Sequence, residues 1–99
     1  MERKIYSIDD IKKKLFPLFK KYKIKQAILF GSYAKGNADS RSDIDIIVES
    51  DLRGLAFYGF LEEVVGVLDK TVDLLDKRQI TKSSRIQKEI RDTGVIIYG

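Results

Sequence analysis

Residues 43–49, DIDIIVE, constrain this chain more than any other segment. Read as a strand, their period-two alternation puts Asp43, Asp45, Ile47 and Glu49 on one face and Ile44, Ile46 and Val48 on the other. Two carboxylates on one face are costly. At an effective dielectric of about 20, oxygens brought within about 5 Å repel by roughly 3 kcal/mol. Water offsets that on a fully exposed strand, the ordinary setting for an Asp-x-Asp pair. Here the strand runs straight into Ile46, Ile47 and Val48, which places the aspartates at the mouth of a core. A divalent cation at such a mouth turns repulsion into coordination, and an all-oxygen ligand set favours Mg²⁺, with Mn²⁺ as the alternative.

The rest of the composition narrows the chemistry. The 99 residues contain no cysteine and no histidine, which excludes disulfides, thiolate metal sites, imidazole catalysis and His-ligated zinc. Carboxylates, hydroxyls, Lys, Arg and backbone amides remain. The length suits one domain spanning residues 1–99, without a separate substrate domain. With 43% hydrophobic residues, one proline and seven glycines, the composition is that of a folded globule and not of a linker. MERKIYSIDD carries charges where a signal peptide needs an apolar run. No stretch approaches the roughly 18 apolar residues of a membrane span, so the sequence reads as cytoplasmic and without membrane contact. Charge is unevenly distributed. Residues 1–25 hold nine basic and three acidic groups, residues 26–76 four and ten, and residues 77–99 six and two. An acidic centre therefore lies between basic flanks. Solvated lysines on helices account for any single charge, whereas the whole pattern suits a cation-binding carboxylate cluster in surroundings that attract a polyphosphate or an acidic partner.

Ser7 and Asp10 have capping-box spacing. Ile8, Ile11, Leu15, Leu18, Phe19 and Tyr22 then recur at helical intervals. Pro17 should bend that helix or leave its first half irregular, since it removes a bond at about 3 kcal/mol. Residues 26–30 form a short apolar run of the kind buried on both faces, and a loop or short helix follows in GSYAKGNADSRS, residues 31–42. Leu55 to Leu68 reads as a helix with Leu55, Tyr58, Leu61, Val65 and Leu68 apolar. Residues 71–75, TVDLL, are a third strand. Ser84 and Gln87 should cap a last helix that Gly94 ends, before an extended VIIY at residues 95–98. The order predicts a mixed α/β (α+β) domain, a small sheet flanked by helices.

Asp73, between Val72 and Leu74, also lies within a core strand, and pairing that strand beside residues 43–49 brings it to the face of Asp43 and Asp45. Three carboxylates can hold two cations roughly 3.5–4 Å apart, the arrangement that clamps attacking and leaving oxygens in phosphoryl displacement. Asp69 and Asp76 read as solvated charges, and Glu49 and Asp51 as the far end of the strand. Gly31 and Ser32 stand where a buried strand ends. They read either as an ordinary turn or as a phosphate cradle in which glycine admits the phosphate and serine adds a donor. Lys35, Arg41 and Ser42 are further candidate phosphate contacts, a solvated role being the alternative for each basic group. There is no GK[ST], hence no Walker loop.

Taken together, GSYAKG, SDIDIIV and VDLL closely resemble the minimal nucleotidyltransferases of the DNA polymerase β-like superfamily, including the MntA-type antitoxins that act with HEPN-domain partners. The resemblance is strong over residues 24–76. It implies the nucleotidyltransferase fold, with Gly31 and Ser32 holding the terminal phosphates of a nucleoside triphosphate. Asp43 and Asp45 would bind two Mg²⁺ ions, with Asp73 helping to hold the catalytic one. Lys35 replaces the family's usual arginine, keeping the charge but not the bidentate geometry.

The activity so implied is transfer of AMP from ATP to a hydroxyl, with release of pyrophosphate. Ninety-nine residues leave no room for an acceptor domain, so the acceptor is a partner protein; by resemblance it is a HEPN-type toxin modified on a tyrosine, and this chain is its antitoxin. Self-association stays open. A second reading is a binding module that neutralises its partner by occlusion. A third, nucleic-acid binding through the lysines of residues 12–25, is disfavoured because Phe16, Phe19 and Tyr22 read as core and no nucleic-acid motif is present.

Overall fold

A computed structural model describes residues 5–80 and 85–99. The first helix, α1 (Ile8–Lys21), starts with the predicted capping box: the Ser7 hydroxyl accepts from the Asp10 amide at 3.0 Å, and the Asp10 carboxylate accepts from the Ser7 amide at 3.3 Å. Ile11, Leu15, Leu18 and Phe19 are its buried stripe. The helix runs through Pro17 as one element. Both Pro17 and Lys13, whose carbonyl it cannot pair, are exposed, so the lost bond falls on the side where water can replace it.

After α1 come β1 (Gln26–Phe30), α2 (Gly31–Lys35), β2 (Ile44–Glu49), α3 (Leu55–Leu68), β3 (Val72–Asp76), a 3₁₀ turn (Lys77–Gln79), α4 (Arg85–Thr93) and β4 (Val95–Tyr98). The segment after β1 is thus a short helix followed by a loop. The Ser84–Gln87 cap proposed for α4 involves a residue outside those described. The sheet order is β3-β2-β1-β4, with β1 antiparallel to both β2 and β4 and β2 parallel to β3. The parallel step requires a crossover, which α3 supplies.

Ala27 and Leu29 from β1, and Ile44, Ile46 and Val48 from β2, are fully buried in one cluster with the α1 stripe and with Phe60, Val64 and Leu68 of α3. Phe60 lies against the rings of Phe19 and Tyr22, with centroids 6.2 and 5.2 Å apart. The two helices are also tied by Glu63, which accepts from Tyr22 and from Lys21, the latter at 2.9 Å. The Tyr6 hydroxyl, buried, donates to the Leu68 carbonyl at 2.7 Å and closes the C-terminal end of α3.

Three expectations need correction. Phe16, read as core together with Phe19 and Tyr22, is 50% exposed, whereas Phe19 is fully buried and Tyr22 half-buried. The buried face of α3 is Phe60, Val64 and Leu68, flanked by half-buried Phe57, Leu61 and Val65, whereas Leu55 is 88% and Tyr58 63% exposed. This helix is apolar nearly all round, so periodicity left its orientation open, and the Phe19 and Tyr22 rings set it. Asp76 is not solvated. It is 5% exposed, its carboxylate receives Arg78 Nε at 2.9 Å and Nη2 at 2.7 Å, and it caps the 3₁₀ turn; the guanidinium holds its carboxyl below the usual carboxylate range. Asp69, as expected, is exposed, in the left-handed conformation that ends α3.

Phe60→Ala should destabilise the fold by about 3–5 kcal/mol, and Leu55→Ala should change stability by no more than about 0.5 kcal/mol. Urea unfolding followed by circular dichroism checks this; equal costs would contradict the assigned face.

Candidate active site

The opposite sheet face carries the candidate acids Asp45 and Asp73. Asp45 pairs in register with Phe30 of β1 on one side and with Asp73 of β3 on the other. Because neighbouring strands lie about 4.8 Å apart, Asp45 and Asp73 are flank to flank on one face, as the sequence predicted. Asp45 is half-buried and Asp73 exposed. Asp43 falls one residue before β2 and not within it; its side chain is exposed. Gly31 follows Phe30 with φ of +74°, a conformation that disfavours any side chain. A Cβ at this position would collide with the Asp45 carboxylate. The glycine is therefore required twice, by its backbone and by the carboxylate seated against it.

The electrostatics follow from that seat. Burial, then the charges of Asp73, Asp43 and Glu89, push the Asp45 carboxyl up to about 6. Glu89 of α4 gave no signal in the sequence: it stands 44 residues beyond Asp45 and reaches the site only because α4 lies against α2 and β1. It also holds Lys35, with Nζ 3.2 Å from Oε1, so the predicted phosphate-binding cation is ion-paired to a carboxylate at the edge of the site.

The other candidates divide. Ser32 is half-buried at the start of α2, beside Gly31. Ser42 is used by its own loop: its hydroxyl accepts from the Asp39 amide at 2.9 Å and donates to Asp39 Oδ1 at 3.3 Å. The Arg41 amide, then Ser42, holds the Asp39 carboxyl below its ordinary range. Ser42 thus fixes the approach to β2, and Arg41 is exposed. Lys70, a second residue that the sequence did not single out, donates to the Ser40 carbonyl at 3.2 Å and lies over the buried Tyr33 ring, 5.9 Å from its centroid.

Does this donor set suit a divalent cation? Among the described residues no three carboxylates converge into a ready-made cage. The chemistry nonetheless fits: every acidic ligand supplies hard oxygen, and crowding of like charge at Asp45 is the strain that a cation relieves. Asp45 and Asp73, side by side in register, are the residues that would hold such a cation, with Asp43 one strand step away.

Residues 13–99 match the family described as polymerase beta, nucleotidyltransferase. The chain belongs to this nucleotidyltransferase family. Among relatives, a candidate protein adenylyltransferase of Methanocaldococcus jannaschii is 41% identical over 81 residues, covering 75% of this chain and 82% of the relative. The protein adenylyltransferase MntA of Shewanella oneidensis is 32% identical over 79 residues, covering 78% of this chain and 55% of MntA. Solved structures agree. A toxin–antitoxin crystal structure with AMP-PNP superposes with a TM-score of 0.75 at 28% identity, over 89% of this chain and 73% of that one. The S. oneidensis structure of a tri-AMPylated HEPN toxin with its MNT antitoxin gives 0.70 at 25%, over 93% and 72%. The four-stranded mixed sheet and its helices are the nucleotidyltransferase fold. No helix among the described residues is long and apolar enough to cross a membrane.

In this nucleotidyltransferase the raised Asp45 pKa sets a pH dependence. The unfolded chain gives up its proton near 3.8, the folded one near 6, so the contribution of Asp45 to stability is lost as pH rises through that window. Asp45→Asn removes the penalty. In metal-free buffer it should raise stability by about 2 kcal/mol at pH 7.5 and leave it unchanged at pH 3.5. Thermal melts across pH test this, and a gain at both pH values would overturn it.

Proposed function

We propose that this nucleotidyltransferase moves AMP from ATP onto a hydroxyl, a tyrosine, of a HEPN-type partner protein, and that it acts as the antitoxin of such a pair. One observation carries the reading: Asp45 and Asp73 stand side by side in register with Gly31 pressed against the first of them, in a family whose relatives are named protein adenylyltransferases.

Gly31 lets the triphosphate approach the backbone, the Ser32 hydroxyl donates to it, and Lys35, drawn from Glu89, neutralises part of its charge. Magnesium ions, two in this reading, neutralise the phosphates and lower the pKa of the acceptor hydroxyl when bound; Asp43, Asp45 and Asp73 would hold them, and manganese suits the same ligands. The acceptor oxygen forms a bond to the α-phosphorus as the bond to the bridging oxygen breaks and pyrophosphate leaves. Asp73, exposed at the mouth of the site, takes the acceptor proton. Catalysis is positioning plus charge neutralisation, with the acceptor supplied by the partner.

Incubating the protein with labelled ATP, Mg²⁺ and its partner should place AMP on a partner tyrosine, read by mass spectrometry. Asp45→Asn and Asp73→Asn should abolish the adduct, and Ser32→Ala should lower it less because the backbone amides remain. An undiminished adduct with Asp45→Asn would reject the mechanism. Partner inhibition that persists without any adduct would instead favour neutralisation by occlusion.

A further inference from the structure

Asp45 and Asp73 owe their positions to the ladder between β2 and β3, but Asp43 precedes β2 and lies outside that ladder. Other contacts must set where it stands. The loop leading to it is closed on itself: the Ser42 amide donates to the Asp39 carbonyl at 3.1 Å, and the Asp39 amide to the Ser42 hydroxyl at 2.9 Å. That turn fixes the loop's shape and not its place against β3. Two consecutive residues just ahead of β3 supply the place. Lys70 Nζ donates to the Ser40 carbonyl at 3.2 Å, and the Thr71 carbonyl accepts from the Ile44 amide at 3.1 Å. Ser40 and Ile44 lie on either side of Asp43 in the chain, so the segment carrying one acid is pinned at both ends to the segment that leads into Asp73.

We propose that Lys70 is a positioning residue: by holding the Ser40 carbonyl, its ammonium fixes Asp43 relative to Asp73, the spacing on which a shared cation depends. The inference rests on the transfer reading above, in which both acids hold magnesium, and adds to it the group that spaces them. Lys70 is half-buried, and its ammonium also lies over the ring of Tyr33, 5.9 Å from the centroid, with Tyr33 itself 3% exposed in α2. An ammonium held by an aromatic face and a carbonyl at once is confined, unlike that of a lysine reaching out to water. It thereby joins α2, the Asp43 loop and the start of β3. Groups that orient metal ligands from behind commonly govern affinity by about 10–100-fold without touching the ion. A lysine acting on the acids through its charge alone would instead weaken cation binding. The two roles therefore differ in sign.

Lys70→Met keeps the length of the side chain and removes its donor and charge. Mn²⁺ alone, titrated into the full chain without nucleotide and followed by electron paramagnetic resonance, should bind this variant about tenfold more weakly. Lys70→Arg, which still donates to a carbonyl, should recover most of the loss. In an Asp43→Asn background Lys70→Met should cause no further loss, because the ligand it places is gone. Amide hydrogen exchange in the metal-free protein should quicken at Ser42 and Ile44 and stay unchanged at Leu29, in the buried β1. Should Lys70→Met not fold, Lys70→Gln, whose amide is too short to reach Ser40, gives the same readings. Unchanged or tighter Mn²⁺ binding by either variant would overturn the proposal. So would an equal loss in the Asp43→Asn background, which a general structural effect produces. Absence of Mn²⁺ binding by the wild-type protein, with the quickened exchange intact, would count against the transfer reading and leave the Lys70 anchor standing.

Discussion

The seat of Asp45 against Gly31 is the constraint from which the site follows. A carboxylate occupies the space in which any other residue at position 31 would carry its Cβ, and the same glycine has a backbone angle of +74°. The register of β1 with β2 brings the two together, since Phe30 pairs with Asp45. The register of β2 with β3 then adds Asp73. Three short segments from different parts of the chain are thus fixed relative to one another by backbone hydrogen bonds, and only the side chains at their ends face the reaction.

That arrangement is held against its own electrostatics by the opposite face. Ile44, Ile46 and Val48 alternate with Asp45 along one strand and are fully buried. Each large apolar side chain contributes about 1.5–3 kcal/mol on burial, so the three together outweigh the penalty that burial and neighbouring charges impose on Asp45. Slipping β2 by one residue would put the isoleucines toward the site and the aspartates into the core. Register and acid placement are one property, set by hydrophobic alternation.

Much of this was legible in the sequence because it rests on local or period-two signals. The capping box at Ser7, the strand carrying Asp45 and the flanking of Asp73 by apolar residues each need only a few neighbours to be read. The parts that escaped depend on tertiary partners, as with α3 and Glu89, or on short-range side-chain contacts that no periodicity marks, as with Asp76 and Ser42. The α3 stripe could not be oriented, because apolar residues surround the helix and the Phe19 and Tyr22 rings select its face. Asp76 read as solvated because its burial depends on Arg78 reaching back around the 3₁₀ turn. Ser42 looked available for phosphate, yet Asp39 engages its hydroxyl. Glu89, which pairs with Lys35 and bears on Asp45, lies on a helix whose position over the sheet no spacing rule supplies.

The crossover between β2 and β3 has a consequence for how such a chain acquires competence during synthesis. The β1–β2 hairpin and its α2 turn are complete by residue 49, so Gly31 and Asp45 can meet early through contacts close in sequence. Asp73 arrives only when α3 has formed and β3 docks in parallel alongside, a pairing that closes a much longer loop. An emerging polypeptide would accordingly carry the glycine–aspartate half of its acidic centre before the other half exists. The pairing of Asp45 with Asp73 would appear in one step, when β3 docks, and not build up gradually.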